Sequence, residues 1–183
     1  MMTSLLPGEA PVSLNEARSW LRLGATIDDA VVAGLVRAAT NICEAFVGQW
    51  LVVRDAEETL PLDAGADTLR LSVRPVVAVD AVTLVADDDV ETVLAASDYR
   101  LTIARDGSAR LAIGRMHSAH RARVAYRAGM ASDANGIPEA IRQGIIRMTQ
   151  HLHDARDGGS ETPPAVIAAL WKPWRLLSLG GSR

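Results

Sequence analysis

The stretch TIDDAVVAGLVRAATNICEAFVG, residues 26–48, decides the architecture. Val31, Leu35, Ala38, Ile42 and Phe46 recur at helical spacing, which predicts one long amphipathic helix. Thr26 with Asp29 three positions on is a start signal, and Gly48 stops the helix. Just upstream, Ser13 and Glu16 form a capping box ahead of a shorter helix. Leu14, Ala17 and Leu21 share a face there, with Trp20 beside them and Gly24 placed to end it. About two residues join the helices, a length typical of antiparallel neighbours. Each helix has one apolar face and needs a partner to cover it.

That partner comes from the far end of the chain. Pro138 suits a first helical turn and Glu139 the positive end of the dipole. Ile141, Ile145, Met148 and Leu152 then form an apolar face. The run 157–160 breaks the chain, Pro163 and Pro164 open a last segment, and Pro173 interrupts it. Between Leu51 and Tyr126 the helical period disappears and short β-rich runs alternate with turn residues. Tyr99–Ile103 and Arg110–Ile113 read as a hairpin across Arg105-Asp106-Gly107. Arg121–Arg127 alternates, with Ala122, Val124 and Tyr126 on one face and Arg121, Arg123 and Arg127 on the other.

The expected fold class is α+β: a helical bundle from the N- and C-terminal helices with an inserted small antiparallel β-domain. The boundaries read as 1–50 for the N-terminal helices, 51–130 for the β-domain, 137–157 for the returning helix and 163–183 for a C-terminal docking segment. Val31, Leu35, Ile42, Ile145 and Met148 are expected deep in the bundle.

With 183 residues, 49% of them hydrophobic and 22% charged, the chain is long enough for a real core. A formal net charge of −3 argues against wrapping nucleic acid by phosphate neutralisation. The single cysteine, Cys43, excludes an internal disulfide and sits among apolar neighbours as a buried thiol would. The first residues lack the basic start and apolar run of a signal peptide, and no stretch reads as a membrane span, so the expected place of synthesis is the cytoplasm.

No phosphate-binding glycine loop, dinucleotide fingerprint or nucleophile elbow appears. His151 and His153 are two apart on a helix and face different ways, and His117 and His120 lack a partner at ligand spacing, so no metal, cofactor or catalytic set is expected. Asp87, Asp88, Asp89 and Glu91 lack calcium-loop spacing and read as a solvated turn. The arginines of 121–127 read as the wet face of a strand or as a phosphate contact. Trp171 and Trp174 flank Pro173 near the chain end and either cap the protein's own bundle or dock on another subunit.

Ordered motifs then carry a resemblance. They are Pro11-Val12-Ser13-Leu14-Asn15-Glu16-Ala17, the Trp20-Leu21-Arg22-Leu23 helix end, Asp28-Asp29, Ala39 to Phe46 and Gly48-Gln49-Trp50-Leu51. Further on come Leu71 to Val79, Ser97-Asp98-Tyr99-Arg100-Leu101, Val124-Ala125-Tyr126-Arg127-Ala128-Gly129, Ile137 to Ile145 and Lys172-Pro173-Trp174-Arg175. Val73 stands where a proline is often seen, and Trp174 where a tyrosine is. Together they resemble the head–tail connector (adaptor, head-completion) family of tailed phages, with its prophage and gene transfer agent relatives.

The resemblance implies a non-enzymatic virion protein of the particle neck, made in the bacterial cytoplasm. It implies a homo-oligomeric ring, usually a dodecamer, beneath the portal protein. The ring extends the DNA channel and carries the next neck (stopper) or tail protein, with no sequence-specific DNA binding and no membrane. It assigns portal docking to Trp171, Lys172, Pro173, Trp174 and Arg175. The acidic turn Asp87, Asp88, Asp89 and Glu91 is the expected channel-facing element, because an acidic or neutral bore lets duplex slide. The alternative function is a DNA-packaging factor that binds duplex directly through Arg115, Arg121, Arg123 and Arg127.

Overall fold

In this computed structural model the described residues are 3–5, 9–23, 29–62, 68–114, 119–155 and 162–176. Gly24, Thr26, Asp28, Arg115, His117, the 157–160 breaker and 177–183 lie outside them. The architecture is α+β, as the sequence predicts. The chain forms two compact units: one helical, Glu9–Val52 with Ala131–Arg183, and one of sheets, Met1–Gly8 with Val53–Met130.

The helical unit contains α1 (Leu14–Leu21), α2 (Asp29–Val47), α3 (Glu139–Asp154) and α4 (Ala165–Trp171). The capping box forms: the Glu16 amide donates to Ser13 Oγ at 3.2 Å, and the Ser13 amide donates to Glu16 Oε2 at 2.8 Å. These bonds, with Arg142 of α3 reaching the same carboxylate, hold Glu16 below the usual carboxylate range and tie α1 to α3. At the other end of α1 the left-handed position falls on Arg22, with φ 52°.

Ile145 and Met148 are fully buried, as expected. The expected inner face of α2 is not. Val31 is 48% exposed and Leu35 and Ile42 are half-buried, while Val32, Val36, Ala39, Cys43 and Val47 face inward. The helix is turned by about one residue because α2 is apolar on two neighbouring stripes, which periodicity cannot rank. The inward stripe is the one whose polar members satisfy themselves. Thr40 Oγ1 donates to the Val36 carbonyl at 2.8 Å, and Glu44 Oε1 accepts the Leu51 amide at 3.0 Å. Burial next to Glu44 pushes the Cys43 thiol up, so it stays protonated.

Against the expectation that no stretch reaches membrane-span length, α2 has 19 residues and a mean hydropathy of 1.5. Its inward stripe packs on α1, α3 and α4, as a core helix does.

α4 is held by one side chain. Trp171 is fully buried, 5.8 Å from the Phe46 ring, and its Nε1 donates to the Ile141 carbonyl at 3.3 Å. The indole lies on Gly144, where any Cβ would overlap the ring.

Among the described residues the sheet unit has eight strands: β1 (Thr3–Leu5), β2 (Arg54–Pro61), β3 (Thr68–Arg70), β4 (Val76–Val85), β5 (Glu91–Val93), β6 (Tyr99–Ile103), β7 (Ala109–Ile113) and β8 (Arg121–Ala128). They form antiparallel sheets ordered β1-β2-β8-β4-β5 and β3-β7-β6. The hairpin expected at 99–113 forms, with Gly107 at φ 74° in its turn, packed so closely on Pro75 that a Cβ would collide.

Ala122, Val124, Tyr126 and Ala128 of β8 point into the core. Beside them lies a carboxylate with no access to solvent, Glu58. It accepts the Tyr126 hydroxyl, the Ser72 amide at 3.1 Å and Ser72 Oγ at 3.0 Å, while the Val73 amide donates to the Tyr126 oxygen at 3.3 Å. The network joins β2, β8 and the 72–73 segment, and its two buried side chains, Glu58 and Tyr126, both have partners.

Two outcomes follow for stability. Trp171→Ala should cost about 3–5 kcal/mol, as large core truncations do, whereas Leu35→Ala should cost roughly 1–2 kcal/mol for a half-buried leucine. Denaturant unfolding of both variants checks the order. Burial and the adjacent Glu58 raise the Tyr126 pKa above the ordinary tyrosine value. That contribution to stability is therefore complete below about pH 10, where unfolded tyrosine titrates. It is lost progressively above that pH, and Tyr126→Phe should flatten the alkaline part of a stability–pH curve.

Candidate functional site

Two features that the sequence presents separately meet on the outer face of the larger sheet. β4 lies between β8 and β5, which brings the arginines of β8 to the Asp87–Glu91 turn. Arg121 Nη2 is 2.9 Å from Asp89 Oδ1, Arg123 pairs with Glu91, and Arg127 Nε is 3.3 Å from Asp80 Oδ1. His120 Nε2 lies 3.5 Å from Asp87 Oδ2, an ion pair when the imidazole is protonated. Asp88 caps its own turn, accepting the Val90 amide at 3.2 Å.

Five carboxylates (Asp80, Asp87, Asp88, Asp89, Glu91) therefore face three arginines, which leaves two formal negative charges with His120 neutral. Such exposed pairs stabilise by no more than about 1 kcal/mol each. Their larger effect is on the surface potential, because the arginines available to a phosphate are already engaged. The reading of this stripe as a phosphate grip gains nothing from the geometry. Arg115, its fourth member, is outside the described residues.

The C-terminal cluster is divided by burial. Of the five residues expected to dock, Trp171 is in the core of the helical unit and cannot act as a surface anchor, because its ring is enclosed by Gly144 and Phe46. Lys172, Pro173, Trp174 and Arg175 lie at the surface, the first three in a 3₁₀ turn. The segment does not hang free: Gln49 Nε2 donates to the Trp174 carbonyl at 2.7 Å, and the Leu176 amide donates to the Val47 carbonyl at 2.9 Å. The Arg175 guanidinium lies 5.2 Å from the centre of the Phe46 ring. The backbone is fixed while the Trp174 side chain is 36% exposed.

An open cleft of about 570 Å³ lies between the ends of α1 and α3, lined by Trp20, Arg22, Gln150, His153 and Asp154 among others. Trp20 Nε1 donates to Gln150 Oε1 at 2.9 Å across it. Among the described residues no three His, Cys, Asp or Glu side chains gather as metal ligands would. Sequence reasoning passed over the Glu58 network, although Glu58 is in phase with the inward residues Ala56 and Leu60 of β2. That alternation was the available signal.

The head completion protein family profile matches residues 12–161. The chain belongs to the head completion protein family. Among solved structures, a chain in the virion of a native gene transfer agent (GTA) particle is 26% identical. It has a TM-score of 0.79, and the match covers 100% of this chain and 99% of that one. A chain in the neck of a native GTA particle computed with C12 symmetry is 25% identical, with a TM-score of 0.78 and full coverage of both chains. The neck of an empty GTA particle computed with C6 symmetry contains a chain of the same fold, at 23% identity and TM-score 0.78, again with full coverage of both. No curated protein matches. This member of the family therefore shares its fold with chains of GTA particles.

Proposed function

We propose that the chain is a structural head–tail connector (adaptor) subunit that forms a ring in the neck of a tailed-phage-like particle or gene transfer agent. The observation that carries this is the end-to-end match to a chain of a native GTA neck, at 25% identity with both chains fully covered, within the head completion family. In this reading the virion neck is where the protein acts, the ring beneath the portal extends the DNA channel, and the next neck or tail protein binds its far side. The compensated charge of the outer sheet face agrees with a surface past which DNA slides without being gripped. Immunogold labelling of purified particles tests the placement directly. Label at the neck supports it, and label confined to the head shell or tail tip overturns it.

The docking side is Lys172, Pro173, Trp174 and Arg175. The supporting observation is a rigid backbone that presents a partly exposed tryptophan between two cations, the composition of an interface anchor. Trp174→Ala should leave the melting temperature of the isolated subunit unchanged and release the subunit from portal-containing heads. A variant that melts early yet stays attached would move Trp174 into the subunit's own core.

The Asp87–Glu91 turn is the candidate channel wall, supported by its carboxylate excess on an exposed turn. Asp87→Lys, Asp88→Lys and Asp89→Lys together should slow DNA exit from particles that still assemble. Normal exit kinetics would remove the turn from the channel.

A further inference from the structure

The two sheets differ in how they treat their outward arginines. Those of β8 each find a carboxylate within their own sheet. Those of the smaller sheet do not. There Leu69, Ala109, Leu111 and Ile113 point inward, while Arg70, Arg100 and Arg110 are exposed. The register sets Arg70 opposite Arg110, Arg110 opposite Thr102, and Ala112 opposite both Thr68 and Arg100, so these six residues share the outer face. No carboxylate stands among them, and among the described residues none of the three guanidiniums is in an ion pair. Like charges placed directly opposite, as Arg70 and Arg110 are, cost stability until an anion compensates them.

The larger sheet carries the converse on β2. Ala56, Glu58 and Leu60 point inward, while Asp55 and Glu57 are exposed. Arg127 stands opposite Asp55 in the register but pairs with Asp80 on its other side, and Ala125, opposite Glu57, carries no charge. Among the described residues neither carboxylate is in an ion pair. The two form an acidic ridge, two residues and about 7 Å apart along the strand.

We infer that the arginine face of the smaller sheet on one copy docks on the Asp55–Glu57 ridge of the next copy around the ring. This rests on the ring reading above. A cyclic ring joins copies head to tail, so every subunit must bring two unlike, complementary patches. The solved relative that matches this chain over its whole length comes from a neck computed with C12 symmetry. Both patches belong to one compact unit, so every copy carries the pair, and their signs are opposite. Guanidinium forks match carboxylates in geometry as well as charge. One contact thus compensates both uncompensated sets and fixes the register between copies. Duplex DNA is the weaker occupant: three cations on a chain of net charge −3 release few counterions, and Asp55 and Glu57 would stay unmatched.

The test is charge reversal in assembled particles, with copies of the chain per particle counted by mass spectrometry. Arg70→Glu with Arg110→Glu should lower retention by about tenfold, and so should Asp55→Arg with Glu57→Arg. All four substitutions in one chain should bring retention back, because each reversed face then meets a reversed ridge. Neither DNA nor another particle protein can produce that rescue, since neither changes sign with the chain. Wild-type retention of either double variant, or a quadruple variant lost as completely as the doubles, overturns the inference and leaves the neck assignment standing. An arginine reversal that keeps its copies but alters DNA exit also overturns it and makes the face a phosphate contact. Absence of the wild-type chain from necks would instead remove the neck assignment. The isolated variants should melt as wild type does. Should the arginine reversal melt early, Arg70→Gln with Arg110→Gln removes the charge without reversing it, with loss of retention expected and full retention fatal.

Discussion

The indole of Trp171 lying on Gly144 is the contact on which the helical unit depends. α4 has seven residues, too few to hold helical structure by backbone bonding alone. Its place is set by one large side chain that fits only where α3 has no Cβ. From that point the chain runs directly into the turn that presents Trp174, and Gln49 and Val47 fix its backbone to the end of α2. A residue in the core thus determines where a residue on the surface stands. Two tryptophans three positions apart lie in opposite environments, one enclosed and one partly exposed, because the chain turns between them.

A different rule, that polar groups are satisfied within the chain, governs Glu58 and the β8 arginines of the sheet unit. Inside, the Glu58 carboxylate takes its hydrogen bonds from Tyr126 and Ser72, which links two strands to an irregular segment without help from solvent. Outside, the arginines of β8 spend their charge on Asp80, Asp89 and Glu91. Both arrangements pair charged groups within the sheet unit itself.

Much of this was legible in the sequence, and the failures have physical causes. The capping box at Ser13, the helices, the hairpin at 99–113 and the alternation of β8 follow from local chemistry and were read correctly. The inner face of α2 was not, because Val31 and Val32, or Leu35 and Val36, are equally apolar. The inward stripe is the one on which Thr40 and Glu44 find partners, and that is not visible in the apolar pattern. The pairing of the acidic turn with the β8 arginines depends on β4 lying between β5 and β8, a long-range choice that no local window contains. The family motifs located the terminal Lys-Pro-Trp-Arg, but not that Trp171, beside it, belongs to the interior.

The position of Cys43 has a consequence for the life of a virion component outside the cell. Such a protein leaves a reducing cytosol for aerated surroundings, where a thiolate on each copy of a ring would invite oxidative bridging between neighbours. Cys43 is fully enclosed, and its thiol is held in the protonated, unreactive form. A disulfide from Cys43 to another copy would first require the helical unit to open around it.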